Sequence, residues 1–455
     1  MIKSLNNPLI RMLVLLPIMA LAGGATGQIK AHYLVGFVFA CVLMGAGLFW
    51  TYLLANAEEW RWLAKLFIGG YALRLCIAFG LYIIWPTLEV PDGIHYAGDS
   101  QQLAEAWHRL GWVSYTDIVR TPLQAFGYVY LNTTVFFVFG PYSIHMQIVN
   151  CFFAALAVIY TYKLSNHYFG TKVARFAALC TAFMPSMLFW TSQNLKDSLV
   201  LFLSMQVLWH ASQGLRQSAY RVPMIGLIIA ALTTIRKETA IGLAVVIAVT
   251  LVFQTSTRPI NRVLVSVISV LMLGLTLASS GYGFLGLDFA EERLNPITIT
   301  NTRERTSLGG SAVDTTIDTS SIGGLLAYTP LAVANFILRP WPWEATNSLT
   351  QLMTIPESIF LWYPLFIFAL IGLVHIWRTG WIRNSLIWVY VLAATIAAAP
   401  QYGNLGTAYR HRVQLWPCYF ILAGVGWYYW RERKGRASAA PACEDSPELS
   451  APKPL

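Results

Sequence analysis

Two charged residues in one polar stretch are the first candidates for chemistry. Asp99 lies in G-D-S and Arg120 in R-T-P, within a polar segment that runs from Pro86 to Tyr142 between apolar segments. A carboxylate within hydrogen-bond reach of a hydroxyl group can remove its proton, and arginine presents a planar fork that matches a phosphate group. Because hydrocarbon cannot satisfy so polar a stretch, it must lie outside lipid, where it can meet a substrate.

Further charged residues adjoin or interrupt apolar segments. A charge in the middle of a membrane span costs about 2.5–3.5 kcal/mol, so residues retained there are expected to serve a pocket. These residues are Lys196, Asp197, Arg236, Glu238, Arg339, Arg410 and Arg412. The R-P-W-P-W-E stretch adds Trp341 and Trp343, whose rings suit stacking on a substrate or anchoring at a membrane interface.

The elements that position these residues are membrane helices. Of the 455 residues, 56% are hydrophobic and 11% are charged, and repeated apolar runs are long enough to cross a bilayer. We expect an all-α polytopic membrane protein with about 12 transmembrane helices and a long first outer loop that carries in-plane helices. The net charge of +10 comes mostly from short loops between spans, so a nucleic-acid partner is not expected.

Basic residues set the expected orientation. A cytoplasmic N-terminus, with the apolar run Leu9 to Gly27 retained as a span, places most Lys and Arg loops inside and the candidate site residues outside. This requires Leu123 to Gly140 to lie in the outer interface or dip back without crossing. The segment Gly281 to Gly324, rich in Thr, Ser and Gly, is predicted to be a mobile outer loop.

These expectations divide the chain into six regions. In order, they are N-terminal transmembrane helices (1–85), an outer loop with the catalytic Asp and an interfacial helix (86–142), a transmembrane core (143–280), an outer loop that could carry a re-entrant or interfacial helix (281–354), C-terminal transmembrane helices (355–431) and a disordered cytoplasmic tail (432–455). Five of the six cysteines fall within apolar runs and none has metal-ligand spacing, so disulfides and a cysteine metal site are not expected.

Several motifs resemble the GT-C glycosyltransferases, in particular the branch of protein O-mannosyltransferases and lipid A aminoarabinose transferases. They are D-S-Q-Q-L-A-E-A-W-H-R-L-G from Asp99, R-T-P-L-Q-A-F-G-Y-V-Y-L from Arg120, P-S-M-L-F-W-T-S-Q-N-L-K-D-S from Pro185, L-T-T-I-R-K-E-T from Leu232 and Y-R-H-R-V-Q-L-W-P from Tyr409. The resemblance implies transfer of a sugar from a polyprenyl-phosphate carrier to a lipid, glycan or protein, outside a bacterial cytoplasmic membrane.

The family's first-loop acidic residue would correspond to Asp99. That residue usually belongs to an acidic pair a few positions before a tyrosine, whereas here Asp99 is followed by Ser100. Without the second acid, a divalent metal is conceivable but not supported, and no cofactor is expected. Asp99 could instead cap a helix, because Gln102 follows at capping-box spacing. Asp92 is the rival acid, although its P-D-G setting is typical of a turn.

The leaving phosphate calls for fixed positive charge. Candidate ligands of the donor phosphate are Arg120, Arg410, Arg412, Lys196 and Arg236. Each could instead be an anchor at a membrane boundary or part of a solvated turn, and Lys196 could simply pair with Asp197. Residues that could contact substrate are Asp197, Glu238, Arg339, Trp341 and Trp343.

We therefore expect an inverting membrane glycosyltransferase that uses a polyprenyl-phosphate monosaccharide. A polymerase or ligase acting on a polyprenyl-diphosphate glycan is a close alternative, because a diphosphate needs the same arginines. A flippase or transporter is the alternative from another class. Transporters often show internal repeats and charges near the midplane, whereas this sequence shows no internal repeat and its charges gather at one face.

Overall fold

The computed structural model describes residues 31–119, 125–213, 220–254, 271, 273–278, 295–306, 319–344 and 354–439. Several sequence predictions fall outside these residues: Arg120, the first apolar run, most of the segment 281–318 and the tail beyond residue 439. Those predictions stay as stated.

Within the described ranges, all regular secondary structure is helical. The α-helices are α1 (Ala31–Leu54), α2 (Ala57–Ile83), α3 (Pro91–Leu110), α4 (Tyr115–Ile118), α5 (Phe126–Phe139), α6 (Ser143–Phe183), α7 (Pro185–Thr191), α8 (Asp197–Ser212), α9 (Arg221–Ile235), α10 (Lys237–Gln254), α11 (Pro296–Thr306), α12 (Ile322–Leu338), α13 (Tyr363–Gly380), α14 (Ser385–Ala398), α15 (Leu405–Arg412) and α16 (Trp416–Ala439).

Four segments are long and apolar enough to cross a membrane. They are α1, α2, α6 and Thr354–Gly380, and shorter apolar helices include α5, α9, α12 and Ser385–Gln401. Apolar helices are the form in which a chain satisfies its backbone in hydrocarbon. The predicted all-α membrane class is confirmed.

The long helix α6 is interrupted at Gly170, where φ is 77° and ψ is 174°. Glycine tolerates this conformation because it lacks a Cβ. Before the interruption, Lys163 pairs with Glu59 near the start of α2. After it, the carbonyl of Thr181 accepts a hydrogen bond from Arg74, farther along α2. The chain therefore reverses at Gly170, and the two arms of α6 run antiparallel.

Two parallel helices cross very closely in the C-terminal part of the bundle. Helices α13 and α16 meet at Gly372 and Gly426, where a Cβ would lie 2.0 Å and 1.9 Å from backbone oxygens of the facing helix. Small residues allow membrane helices to approach in this way. The crossing fixes α16, which follows directly from the short helix α15 that carries site residues.

Helix α5 has 14 residues, a length of about 21 Å, which is shorter than the hydrocarbon core. Because α9, which was predicted to cross, has 15 residues, length does not test the prediction that the segment 123–140 does not cross, and it stays a prediction. By contrast, the mobile loop predicted for 281–324 is wrong for residues 296–306, which form α11. Arg303 on α11 is buried with its guanidinium 4.5 Å from the ring centroid of Tyr328, and this contact docks the helix.

Candidate active site

The candidate site begins with a polar loop, residues 192–196, that connects α7 to α8. The amide nitrogen of Asn150 donates hydrogen bonds to the carbonyls of Gln193 at 2.7 Å and Leu195 at 3.0 Å. The side-chain oxygen of Asn194 accepts one from Tyr128 at 2.7 Å. Buried polar groups must be paired in this way, so the network fixes the loop and the start of α8.

Asp197, the first residue of α8, is fully buried and has three side-chain donors. Its carboxylate lies 2.5 Å from Nε of Arg410 and 3.1 Å from Nη1 of Arg236. It also accepts a hydrogen bond of 2.9 Å from the amide of Gln414. Two cations around one buried carboxylate compensate its loss of hydration. The predicted residues Asp197, Arg236 and Arg410 are thus brought together from three separate segments.

Arg410 also reaches a second carboxylate. Its Nη1 lies 2.5 Å from Oδ2 of Asp92, whose side chain is 53% exposed. Asp92 is in the first turn of α3, where the positive end of the helix dipole favours an acidic residue. The turn predicted for P-D-G is therefore wrong, because the residues begin a helix. We call Asp92, Asp197, Arg236 and Arg410 the charge cluster.

Lys196 lies beside the charge cluster and adds one positive charge to its two arginines and two aspartates. Its Nζ is 6.0 Å from the ring centroid of Tyr96 on α3. Burial, and then the charge of Arg236, lowers the pKa of Lys196 to about 8, so the amine remains mostly protonated at neutral pH. The excess of positive charge in this arrangement favours the binding of an anion.

Arg236 has a further partner that the sequence did not suggest. Its Nη2 lies 3.2 Å from Nε2 of His411, and Nδ1 of the same imidazole is hydrogen-bonded to the hydroxyl of Tyr402. His411 follows Arg410 directly on α15. The imidazole ring therefore joins the charge cluster to the 3₁₀ turn that ends at Gln401.

Asp99 lies on the same helix as Asp92, seven positions later, and so near the same face. Its Oδ2 accepts a hydrogen bond of 2.9 Å from the hydroxyl of Tyr115. Among the described contacts, none joins Asp99 to the charge cluster. The alternative of Asp99 as an N-cap is wrong, because α3 already begins at Pro91. No described contact tests the catalytic role that the sequence motif predicted for Asp99.

Arg412 is held by another part of the fold. Its Nη1 donates to the carbonyl of Ile337 at 2.7 Å, and its Nη2 donates to the carbonyl of Arg339. Its guanidinium lies 4.2 Å from the ring centroid of Tyr409. Because Arg410 and Arg412 are two positions apart on one helix, they point in different directions. Arg412 ties α15 to the end of α12.

The remaining predicted residues lie outside the charge cluster. Arg339 and Glu344 form an ion pair of 3.5 Å around a compact turn. Trp341 and Trp343 stack within that turn, with ring centroids 5.5 Å apart, and Trp343 is 79% exposed. Glu238 is exposed in the first turn of α10. No contact described for these residues reaches Asp197 or Arg410.

Sequence reasoning underrated Asp92 and missed His411, Tyr402 and Gln414. A signal for Asp92 was present, because Tyr96 follows it by four positions, which is the acid-to-tyrosine order of the GT-C motif. His411 and Gln414 lay within the quoted motif Y-R-H-R-V-Q-L-W-P. Within the described part of the chain, no group of three or more His, Cys, Asp or Glu is placed to hold a metal ion.

Comparison with known proteins agrees with this fold. Residues 124–281 match the family model of dolichyl-phosphate-mannose-protein mannosyltransferase. The apo crystal structure of the Archaeoglobus fulgidus oligosaccharyltransferase matches with a TM-score of 0.50 and 14% identity, over 87% of this chain and 54% of that chain. ArnT from Cupriavidus metallidurans, crystallised with undecaprenyl phosphate, matches with a TM-score of 0.47 and 16% identity, over 85% and 64%.

No curated protein matches the chain in sequence. The chain spans about half the length of the oligosaccharyltransferase it resembles. The helical bundle, with charged residues gathered at one end, has the GT-C architecture. The sequence motifs predicted this likeness to the GT-C glycosyltransferases, and the segment that matches the family model contains Lys196, Asp197 and Arg236.

Proposed function

We propose that this protein transfers a sugar from a polyprenyl-phosphate donor to a lipid, glycan or protein acceptor, and that the charge cluster is its active site. The observation that carries the proposal is the position of Arg410, which joins buried Asp197 to half-exposed Asp92. Transfer from a phosphate needs cations for the leaving group and a base for the acceptor. The charge cluster contains both.

The cations would hold the phosphate of the donor. Arg236 and Arg410 are oriented by Asp197, and Lys196 supplies a further charge next to them. Preorganised cations stabilise charge that develops on a leaving group without reorganising during the reaction. Because a monophosphate leaves as an anion, its departure needs no general acid.

Asp92 would act as the base. Phosphate oxygens bound by Arg410 would compete with Asp92 for Nη1, so donor binding would release this carboxylate. The acceptor hydroxyl then attacks the anomeric carbon and loses its proton to Asp92, while the bond from that carbon to the phosphate oxygen breaks. Asp197 is fully buried and is less accessible to an acceptor, so exposure divides the roles of the two acids.

The family comparison supports the donor class. The matched family model is named for a polyprenyl-phosphate sugar, dolichyl-phosphate mannose, and covers the segment that contributes Asp197 and Arg236. Attack by the acceptor opposite the departing phosphate would invert the anomeric centre.

We also propose that the charge cluster faces the outside of the cytoplasmic membrane. The opposite end of the bundle carries many basic residues, among them Lys163, Arg175, Arg221 and Arg383. Basic residues concentrate on the cytoplasmic side of membrane proteins. The distribution around the helices therefore supports an outward-facing site.

Labelling of single cysteines in intact cells tests this orientation. In a cysteine-free background, Gln102→Cys on exposed α3 should react with a membrane-impermeant thiol reagent. Thr379→Cys, exposed at the opposite end, should react only after the cells are permeabilised. Reversed labelling of the two positions would place the charge cluster in the cytoplasm and contradict the proposal.

Binding of undecaprenyl phosphate to the purified full-length protein tests the phosphate site. Arg236→Ala and Arg410→Lys should each weaken binding by about 10- to 150-fold, because a charge-assisted hydrogen bond contributes about 1.5–3 kcal/mol and lysine lacks the arginine fork. Arg378→Ala, an exposed arginine at the opposite end, is the matched control and should bind normally. Unchanged affinity in both site variants would place the phosphate site elsewhere.

A further inference from the structure

His411 occupies a place in the site that the proposed chemistry does not yet use. Three consecutive residues of α15 have three different sets of partners: Arg410 contacts the two aspartates, His411 contacts Arg236 and Tyr402, and Arg412 contacts carbonyls at the end of α12. Of these three residues, His411 is the one whose side chain can accept a hydrogen bond from an arginine. Its partner, Arg236, is also a partner of Asp197.

The hydrogen-bond partners assign the tautomer of His411. A guanidinium has only donors, so Nε2 of His411 must accept the hydrogen bond from Nη2 of Arg236. The ring proton of the neutral imidazole then resides on Nδ1, from which it is donated to the hydroxyl oxygen of Tyr402. Tyr402 therefore keeps the lone pair of Nε2 directed at Arg236.

The hydrogen bond with His411 fixes the Nη2 side of the Arg236 guanidinium. Nη1 is paired with Asp197 at 3.1 Å and Nη2 with His411 at 3.2 Å, so the plane of the fork is set from two sides. A planar fork binds phosphate well only in the correct orientation. Without His411, Arg236 would keep its charge near Asp197 but would be free to rotate about that pair.

We infer that neutral His411 is a positioning residue, which holds Arg236 in the orientation that binds the donor phosphate. The inference rests on the proposed function. Protonation of His411 would remove the acceptor and add a cation next to Arg236, Arg410 and Lys196, a group that is faced by the carboxylates of Asp197 and, on Arg410, Asp92. Burial, and then the charge of Arg236, holds the pKa of His411 well below its ordinary value, which keeps the acceptor available at neutral pH.

The test compares two variants of the full-length protein with undecaprenyl phosphate as the probe. His411→Leu removes the acceptor and should weaken binding at pH 7.5 by about 2- to 12-fold, the range that corresponds to one hydrogen bond. His411→Gln, whose side-chain oxygen can replace Nε2, should bind within about twofold of the unchanged protein. In an Arg236→Ala background, His411→Leu should have no further effect.

Rescue by glutamine separates positioning from a merely structural role, because His411→Gln keeps an acceptor and His411→Leu does not. Burial holds the pKa of His411 well below its ordinary value, so the affinities of the unchanged protein and of His411→Gln should fall in parallel between pH 7.5 and pH 5.5, as the phosphate is protonated. Equal losses in the Leu and Gln variants, or a steeper fall in the unchanged protein than in His411→Gln, would overturn the inference. If Arg236→Ala weakens binding and His411→Leu does not, only this inference fails. If Arg236→Ala and Arg410→Lys both bind normally, the proposed function fails as well.

Discussion

Replacing Asp92 by Asn should lower the rate of sugar transfer by about 10²- to 10⁴-fold, the usual contribution of a general base. The substitution preserves size and keeps an oxygen that can accept from Arg410, so the fold should persist. The rate can be measured with purified protein, a panel of undecaprenyl-phosphate monosaccharides and membranes as the source of acceptor. Binding of undecaprenyl phosphate should remain or tighten, because Asp92 no longer competes as an anion for Arg410.

The matched control is Asp99→Asn on the same helix. Asparagine can still accept the hydrogen bond from Tyr115, so this variant should keep a rate within a few-fold of the unchanged protein. The two variants decide between the acid that the sequence motif indicated and the acid that contacts the charge cluster. Loss of transfer in Asp99→Asn with normal transfer in Asp92→Asn would refute our assignment of the base.

Asp197→Asn should produce the largest loss of stability. The substitution leaves two arginines near the bundle interior without their shared counter-charge, and removing one partner of a buried ion pair costs about 3–5 kcal/mol. Asn keeps the volume of Asp and an oxygen for Gln414, so the loss reports charge more than packing. The free energy of unfolding from mixed micelles, or the temperature at which the protein aggregates in detergent, measures the effect.

Glu105→Gln is the control for loss of a carboxylate without loss of a buried pair. Glu105 is exposed on α3, with a hydrogen bond of 2.9 Å from Gln101, and this substitution should change stability by less than about 0.5 kcal/mol. Adding Arg236→Ala to Asp197→Asn should recover part of the lost stability, because it removes one uncompensated cation. A loss below about 1 kcal/mol for Asp197→Asn would show that solvent already stabilises the arginines.

Much of the site was predictable because charge is costly next to hydrocarbon. Lys196, Asp197, Arg236 and Arg410 stand out in the sequence, since each interrupts or adjoins an apolar segment where an unpaired ion would be unfavourable. The same cost explains why the fold gathers two of them, Arg236 and Arg410, around the buried carboxylate of Asp197. The outer-face assignment of these residues came from the basic loops at the other ends of the helices.

The sequence by itself determined the membrane class, since long apolar runs leave helices as the form that satisfies the backbone in lipid. It also determined which charged residues needed a partner. The sequence could not show which of Asp92 and Asp99 contacts the charge cluster, because positions seven apart lie near the same face of one helix. The contact of Asp92 depends on how the loop before α8 packs against the start of α3. The two segments are so close that a Cβ on Gly93 would lie 3.1 Å from the carbonyl oxygen of Asn194.

The tertiary structure also decided which of Arg410 and Arg412 belongs to the charge cluster. Both are arginines in one short polar helix, yet one bridges two aspartates and the other binds backbone carbonyls at the end of α12. The direction of a side chain on a helix has meaning only once the rotation of that helix against its neighbours is fixed. Here that rotation is set by packing between segments as many as 318 positions apart in sequence, and local sequence patterns carry no information about such pairings.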